Sequence, residues 1–253
     1  MQTEKPKRPE PLDIREKGTP IDGEPQYSDR RLYFQLHVFS HCYHPEVFIQ
    51  HIQHSNYSPP AAVFYDDLNN PTGFGVLLIA MDAASLMEQS LVLKDMQRKF
   101  DREISYRPEM TMIGRTYSSG REPDLEEWLI NKPIRNVFNP DFPWAIWYPL
   151  RRKPEFYQLE PRDRNKILGE HAMLGRNYAA GGYASDIRLA CFGLDTNDNE
   201  FLIGLVGPDL YPLSRLIQDM RKTKQTTKYI ESLGPFFIGK VREQWGSESF
   251  LEK

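Results

Sequence analysis

From Arg31 onward the chain spells one order of elements twice, and that repeat constrains the fold more than any other feature. Leu32, Phe34, Leu36 and Val38 alternate with Tyr33, Gln35, His37 and Phe39, a period of two that predicts a strand. A helical stretch follows Pro45, with Val47, Phe48 and Ile52 on one side, and Pro59-Pro60 ends it. Next come strands at 61–65 and 74–80, joined by a turn through Asp66 to Gly73. A longer helix is expected over about 84–100, with Leu86, Ser90, Leu93 and Gln97 sharing a face, and a strand over about 109–115. The order is β-α-β-β-α-β. It returns in strand 144–149, helix 161–178, a hairpin of strands 186–192 and 201–206, helix 210–229 and strand 236–241. In both copies an acidic residue, Asp82 or Asp209, leads from the hairpin into a long helix.

This pattern predicts an α+β fold of two tandem ferredoxin-like repeats, sheets side by side in one curved unit with helices outside. The expected divisions are a Pro- and charge-rich segment at 1–30, a first repeat at 31–116, a connection at 117–143 and a second repeat at 144–253. The connection should hold one short helix over about 124–130, before Lys132-Pro133. Segment 1–30 buries little and is expected to stay mobile or to wrap a neighbouring subunit.

A 40% apolar share across 253 residues is enough for a sizeable core. A net charge of −3 lacks the basic footprint of a nucleic-acid binder. Two cysteines, Cys42 and Cys191, make no disulfide scaffold and suit a reducing compartment. The longest apolar run, Val76 to Met81, falls far short of the roughly 20 residues a bilayer needs, so a cytoplasmic chain without a membrane span is expected.

Five of the six histidines crowd the first repeat: His37, His41, His44, His51 and His54. Their spacing fits no standard zinc pattern, and ordinary sheet and helix histidines are the better reading. His171 stands alone in its half. With Ile167, Leu174 and Tyr178 it forms a 4-3-4 stripe on one helix face. A histidine so placed either bonds a carbonyl in the core or offers a neutral ring nitrogen to a metal. The run Tyr148-Pro149-Leu150-Arg151-Arg152-Lys153 sets a phenol before three cations, which are either a solvated strand end or an anion pocket that Arg176 and Arg221 could join. No Gly-x-Gly-x-x-Gly, Walker, Gly-x-Ser-x-Gly or His-Glu-x-x-His motif occurs, so nucleotide and hydrolase readings lack support.

Tyr148-Pro149-Leu150, Phe156-Tyr157-Gln158-Leu159, Glu170 to Tyr178, Phe192-Gly193-Leu194-Asp195, Met220-Arg221 and Gly234 to Gly239, in that order, resemble the chlorite dismutase-like haem protein family. The resemblance is to its peroxide-dependent coproheme decarboxylases, and it runs over about 144–242. It implies a haem pocket in the C-terminal repeat, His171 as the proximal iron ligand and Tyr148 as the tyrosine that becomes a radical. That radical takes hydrogen from a propionate of iron coproporphyrin III; carbon dioxide leaves, a vinyl group remains, and a second round yields haem b. Arg135, Arg152, Arg176 and Arg221 match, or nearly match, basic positions around the four propionates, which need several cations in a partly apolar pocket, and Arg188 is a further cofactor-binding candidate. The resemblance further implies hydrogen peroxide as co-substrate and a homo-oligomer, commonly of five subunits.

Three residues depart from the family pattern. Arg152 replaces a lysine and keeps charge without a transferable proton. Asp186 stands where chlorite dismutases keep a distal arginine, with Arg188 two residues on and on the same strand face. Lys224 or Gln225 falls where a glutamate is expected to face the proximal histidine. Chlorite breakdown, or a non-catalytic haem carrier, is the alternative function.

Overall fold

The computed structural model describes residues 10–57, 59 and 61–251. The first repeat consists of β1 (Tyr33–Ser40), α1 (Pro45–His54), β2 (Ala62–Asp67), β3 (Phe74–Ala80), α2 (Ala83–Lys99) and β4 (Met112–Thr116). After the connection, which contains α3 (Lys132–Val137), come β5 (Trp144–Arg152), α4 (Pro161–Ala180), β6 (Ser185–Ala190), β7 (Phe201–Gly207), α5 (Leu210–Met220), α6 (Lys224–Tyr229), β8 (Ile230–Leu233) and β9 (Phe237–Trp245).

The two sheets do not merely lie side by side. Strands run β7-β6-β4-β1-β3-β2-β9-β5, all antiparallel, and β5 pairs back onto β7, with Tyr148 opposite Ile203, closing the sheet into a barrel. The strand β5 is bonded along both edges: β7 on one, and β9 then β8 on the other. Alternate side chains of every strand therefore point inward, where Phe34, Leu36, Tyr65, Leu77, Trp147, Leu202 and Phe237 fill the barrel. Leu129, Ile130, Ile134 and Val137 of the connection pack into the same core.

The hairpin turns and caps follow the sequence closely. Asp67 accepts from the Asn69 N–H at 2.9 Å in one turn, and Asp195 accepts from the Asn197 N–H at 2.7 Å in the other. Asp82 caps α2 by accepting from the Ser85 N–H at 2.8 Å, and Asp209 caps α5 from the Tyr211 N–H at 2.7 Å.

Four details differ from expectation. The buried face of α2 carries Leu86, Gln89, Val92, Leu93 and Met96, so Ser90 and Gln97 lie off it. The expected helix over 210–229 breaks at 221–223, and Thr223 caps a new helix, α6, with its hydroxyl. In the connection, Glu127–Asn131 forms a π-helical turn that runs on into α3. Pro133 lies where the π-helical turn passes into α3, and the wider π turn before it lets the helix continue. Finally, the described part of segment 1–30 is docked rather than loose. Glu16 holds Arg115 at 2.8 Å and the Ser118 N–H at 2.9 Å, and the Thr19 N–H donates to the Glu122 carbonyl at 2.9 Å. Residues 1–9 of that segment lie outside the described residues.

Candidate functional site

Because Ala145 and Trp147 point into the barrel, Ile146, Tyr148 and Leu150 point outward, under α4 and α5. The same alternation sends Phe201, Ile203 and Leu205 of β7 and Asp186 and Arg188 of β6 to that outer face. In the ladder Tyr148 is opposite Ile203, and Ile203 is opposite Arg188, so the phenol and the guanidinium stand two strands apart on one surface. The helix above does not seal it. Of the stripe on α4 only Ile167 is buried; His171, Leu174 and Tyr178 are half-buried. Trp144, Ile203, Ile217, Met220, Phe236 and Ile238 also pack there without full burial. The result is an outer face with apolar walls that α4 and α5 leave half-buried.

His171 reaches into this face. Its Nδ1 is buried and has no hydrogen-bond partner among the described residues. Burial, and secondarily the charge of Arg152, pulls its pKa down to about 4. The ring is thus neutral near pH 7 and keeps a lone pair for a Lewis acid. A neutral buried imidazole, an open apolar face and surrounding cations suit an iron porphyrin carrying carboxylates. Neither residue at the expected partner position supplies an acceptor to His171. The Lys224 N–H donates to Glu170 at 3.2 Å, and Gln225 turns its amide to Arg152.

Tyr148 is 8% exposed and stacks on Phe236 with ring centroids 4.7 Å apart. Burial, and then the negative charge of Asp186, pushes its phenol well above the ordinary value, while Arg221 pulls the other way. It therefore holds its proton throughout the working pH range.

The five candidate arginines divide. The guanidinium of Arg152 stacks between Phe156 and Phe201, at 4.8 and 4.4 Å from the ring centroids. Arg188 donates from Nε to Asp186 at 3.1 Å and lies 5.5 Å from the Trp128 ring. Arg221 ends α5 and is exposed. Arg135 is exposed and paired with Glu127, and Arg176 is exposed on α4, off the stripe that holds His171. So His171, Tyr148, Arg152, Arg188 and Arg221 share one region, while Arg135 and Arg176 point toward solvent.

The first-repeat histidines scatter. His37 pairs with the Tyr106 hydroxyl at 3.1 Å, His51 lies 3.2 Å from Asp95, and His54 bonds the Gln50 carbonyl at 2.9 Å. Among the described residues no three potential ligands converge on one point. Sequence reasoning missed Trp128 and Lys132, whose ammonium lies 4.0 Å from the indole beside Arg188. It also missed Gln225 as a partner of Arg152, because the helix break that places it was not read.

A family model described as chlorite dismutase matches residues 85–242. The coproheme decarboxylase of Oceanobacillus iheyensis is 31% identical over 118 residues, 44% of this chain and 45% of that protein. That of Staphylococcus carnosus is 26% identical over 128 residues, 48% and 49% of the two chains. The chain thus spans about half the length of the curated relatives it matches. A haem-binding protein from Thermus thermophilus superposes with a TM-score of 0.66 at 17% identity, covering 88% of this chain and 94% of that one. Chlorite dismutase from Candidatus Nitrospira defluvii in complex with imidazole gives a TM-score of 0.59 at 14% identity, covering 88% and 95%. At such identities the two structures speak for the fold alone.

Proposed function

Because the chain belongs to the chlorite dismutase family, we propose that it takes an iron porphyrin on the outer face of its second repeat and decarboxylates coproheme to haem b with hydrogen peroxide. The observation that carries this reading is the neutral His171, whose Nδ1 has no partner among the described residues, beside a buried phenol and several cations on a half-buried apolar face. Bound there, the porphyrin iron supplies the oxidation of its own side chains by peroxide. In this reading His171 ligates the iron. Arg152, Arg188 and Arg221 hold carboxylates at the face, and Arg135 and Arg176 reach them from its rim. Each such cation compensates a carboxylate that is leaving water.

Tyr148 would hold its Oη proton until an electron is withdrawn from its ring by the oxidised porphyrin, since a buried phenol cannot ionise first. The charge of Asp186, which reaches that phenol, adds to the cost of ionising it first. Stacking on Phe236 fixes the ring and keeps water from it.

The test is incubation with ferric coproheme and peroxide, followed by mass spectrometry. Loss of two carboxyl groups, abolished in Tyr148→Phe, is expected; no loss, or full activity in Tyr148→Phe, removes the reading. Chlorite chemistry is disfavoured because Arg188, the cation nearest the expected distal position, is already tied to Asp186. A non-catalytic porphyrin carrier is the second reading, favoured by the missing acceptor at His171 Nδ1, and it expects binding without turnover. A homo-oligomer, five-membered by the resemblance, belongs to the same proposal and is checked by light scattering.

A further inference from the structure

Arg152 is held unlike any other arginine near His171. Two phenyl faces, of Phe156 and Phe201, sandwich its guanidinium at 4.8 and 4.4 Å. With its amide assigned from the surrounding donors, so that oxygen and not nitrogen faces the guanidinium, Gln225 accepts from Nε and Nη2 of Arg152 at 3.2 Å each. Gln225 is 4% exposed and rides on α6, the short helix that Thr223 starts. The Arg152 backbone N–H is fixed as well, donating at 3.1 Å to Glu200, which also accepts from the Tyr157 hydroxyl at 2.7 Å. Yet among the described residues Arg152 has no ion pair, whereas Arg188 has Asp186 and Arg135 has Glu127.

Guanidinium offers two forks, the Nε/Nη2 side and the Nη1/Nη2 end. A neutral amide on the side fork immobilises the group without cancelling its charge. The guanidinium also meets the Tyr157 hydroxyl but no carboxylate among the described residues, and its charge reaches the His171 ring. We infer that Gln225 is a positioning residue: it sets Arg152 as a preformed receptor for one carboxylate of the molecule that His171 binds. This rests on the porphyrin reading above. A neutral clamp suits the task where a glutamate would not, because an anion on the side fork would neutralise the charge the ligand needs.

Two measurements separate this inference from the reading it rests on. In the protein without porphyrin, the Arg152 Nε–H signal in nitrogen-15 NMR is expected to be protected from exchange at neutral pH. Protection should be lost in Gln225→Leu, return in part in Gln225→Asn and persist in Gln225→Glu. An unprotected signal in the wild type, or protection that survives Gln225→Leu, overturns the clamp whatever the protein binds. Absorption titration with coproheme then tests its purpose. Arg152→Met should weaken binding about ten- to hundredfold, and Gln225→Glu should weaken it about tenfold although the clamp is intact. Neither Gln225 variant should weaken it further in the Arg152→Met background. A Gln225→Glu protein that binds as tightly as the wild type, or Gln225 effects that persist without Arg152, overturns the proposal. A wild type that takes up no coproheme while the NMR result stands overturns the porphyrin reading, and the receptor role with it.

Discussion

The outer faces of the two repeats are built alike and finished differently. In the first, α1 buries Phe48, Ile49 and Ile52, and α2 buries Leu86, Gln89, Val92, Leu93 and Met96. Beneath them Phe39, Phe64 and Phe74 stack at 4.9 and 4.7 Å in an apolar layer, and an opening on this face lies at its rim, between Val47, His51 and His54 of α1 and Asp95 of α2. In the second, α4 has twenty residues and buries only Ile167. Its inward stripe carries a histidine, and the sheet beneath offers a phenol, a carboxylate and a guanidinium among half-buried aliphatics. Core packing is close to that of organic crystals, so a face left half-buried forfeits contact energy that a bound group would restore. One repeat covers its outer face with its own side chains, and in the proposed reading its twin leaves room for a ligand.

This contrast can be broken most sharply at its histidines. His171→Ala is expected to cut porphyrin affinity by about a hundredfold or more, while His51→Ala in the first repeat leaves it unchanged, read by Soret titration. A loss shared by both variants would mean that the repeats are not specialised. Packing supplies the next largest effect. Phe74→Ala should cost about 3–5 kcal/mol in urea unfolding, against roughly 1 kcal/mol for Leu174→Ala, whose surroundings are already open. Acid sensitivity comes third. The folded pKa of His171 is about 4 against an ordinary 6.5, so the unfolded chain takes up the extra proton between those values. The stability due to the neutral ring is whole above about pH 6.5 and drains as pH falls toward 4. His171→Leu should flatten that slope by on the order of 1–3 kcal/mol, measured as Tm against pH. The smallest effect tests free space directly. A Cβ on Gly175 would meet only the Met220 methyl, at 3.7 Å, so Gly175→Ala should stabilise the ligand-free protein by about 0.5–1 kcal/mol. In the first repeat Gly75→Ala should destabilise instead, because its Cβ would fall 2.6 Å from the Phe237 ring.

What could be read from the residues alone was local. The apolar pattern found every strand of the two repeats except β8 and the two-residue strand Ser105–Tyr106, and the Asp-capped helices and Asp-Asn turns announced themselves by chemistry that acts within three or four residues. Closure of the barrel left no such mark, since it depends on the pairing of β5 with β7, over fifty residues apart, and no side chain encodes which edge meets which. The face of α2 was misjudged because Gln89 is polar yet buried, while Ser90 looked better by spacing. At the site, His171 and Tyr148 were legible as a lone histidine on an apolar stripe and a phenol before cations. Gln225 was not, although Thr223 is a good cap and could have signalled that one helix ends and another begins. Arg135 and Arg176 mark another limit: a matching position says nothing about exposure, and both are exposed, one of them paired with Glu127.

Barrel closure also bears on how such a chain can exist at all. Either repeat alone would end in two raw strand borders, with unpaired amides facing water and a greasy inner surface uncovered. Each half would need a companion of its own kind, and the tandem supplies it covalently. Cutting the chain between Thr116 and Trp144 should therefore yield two fragments that re-associate with each other when mixed and precipitate when kept apart.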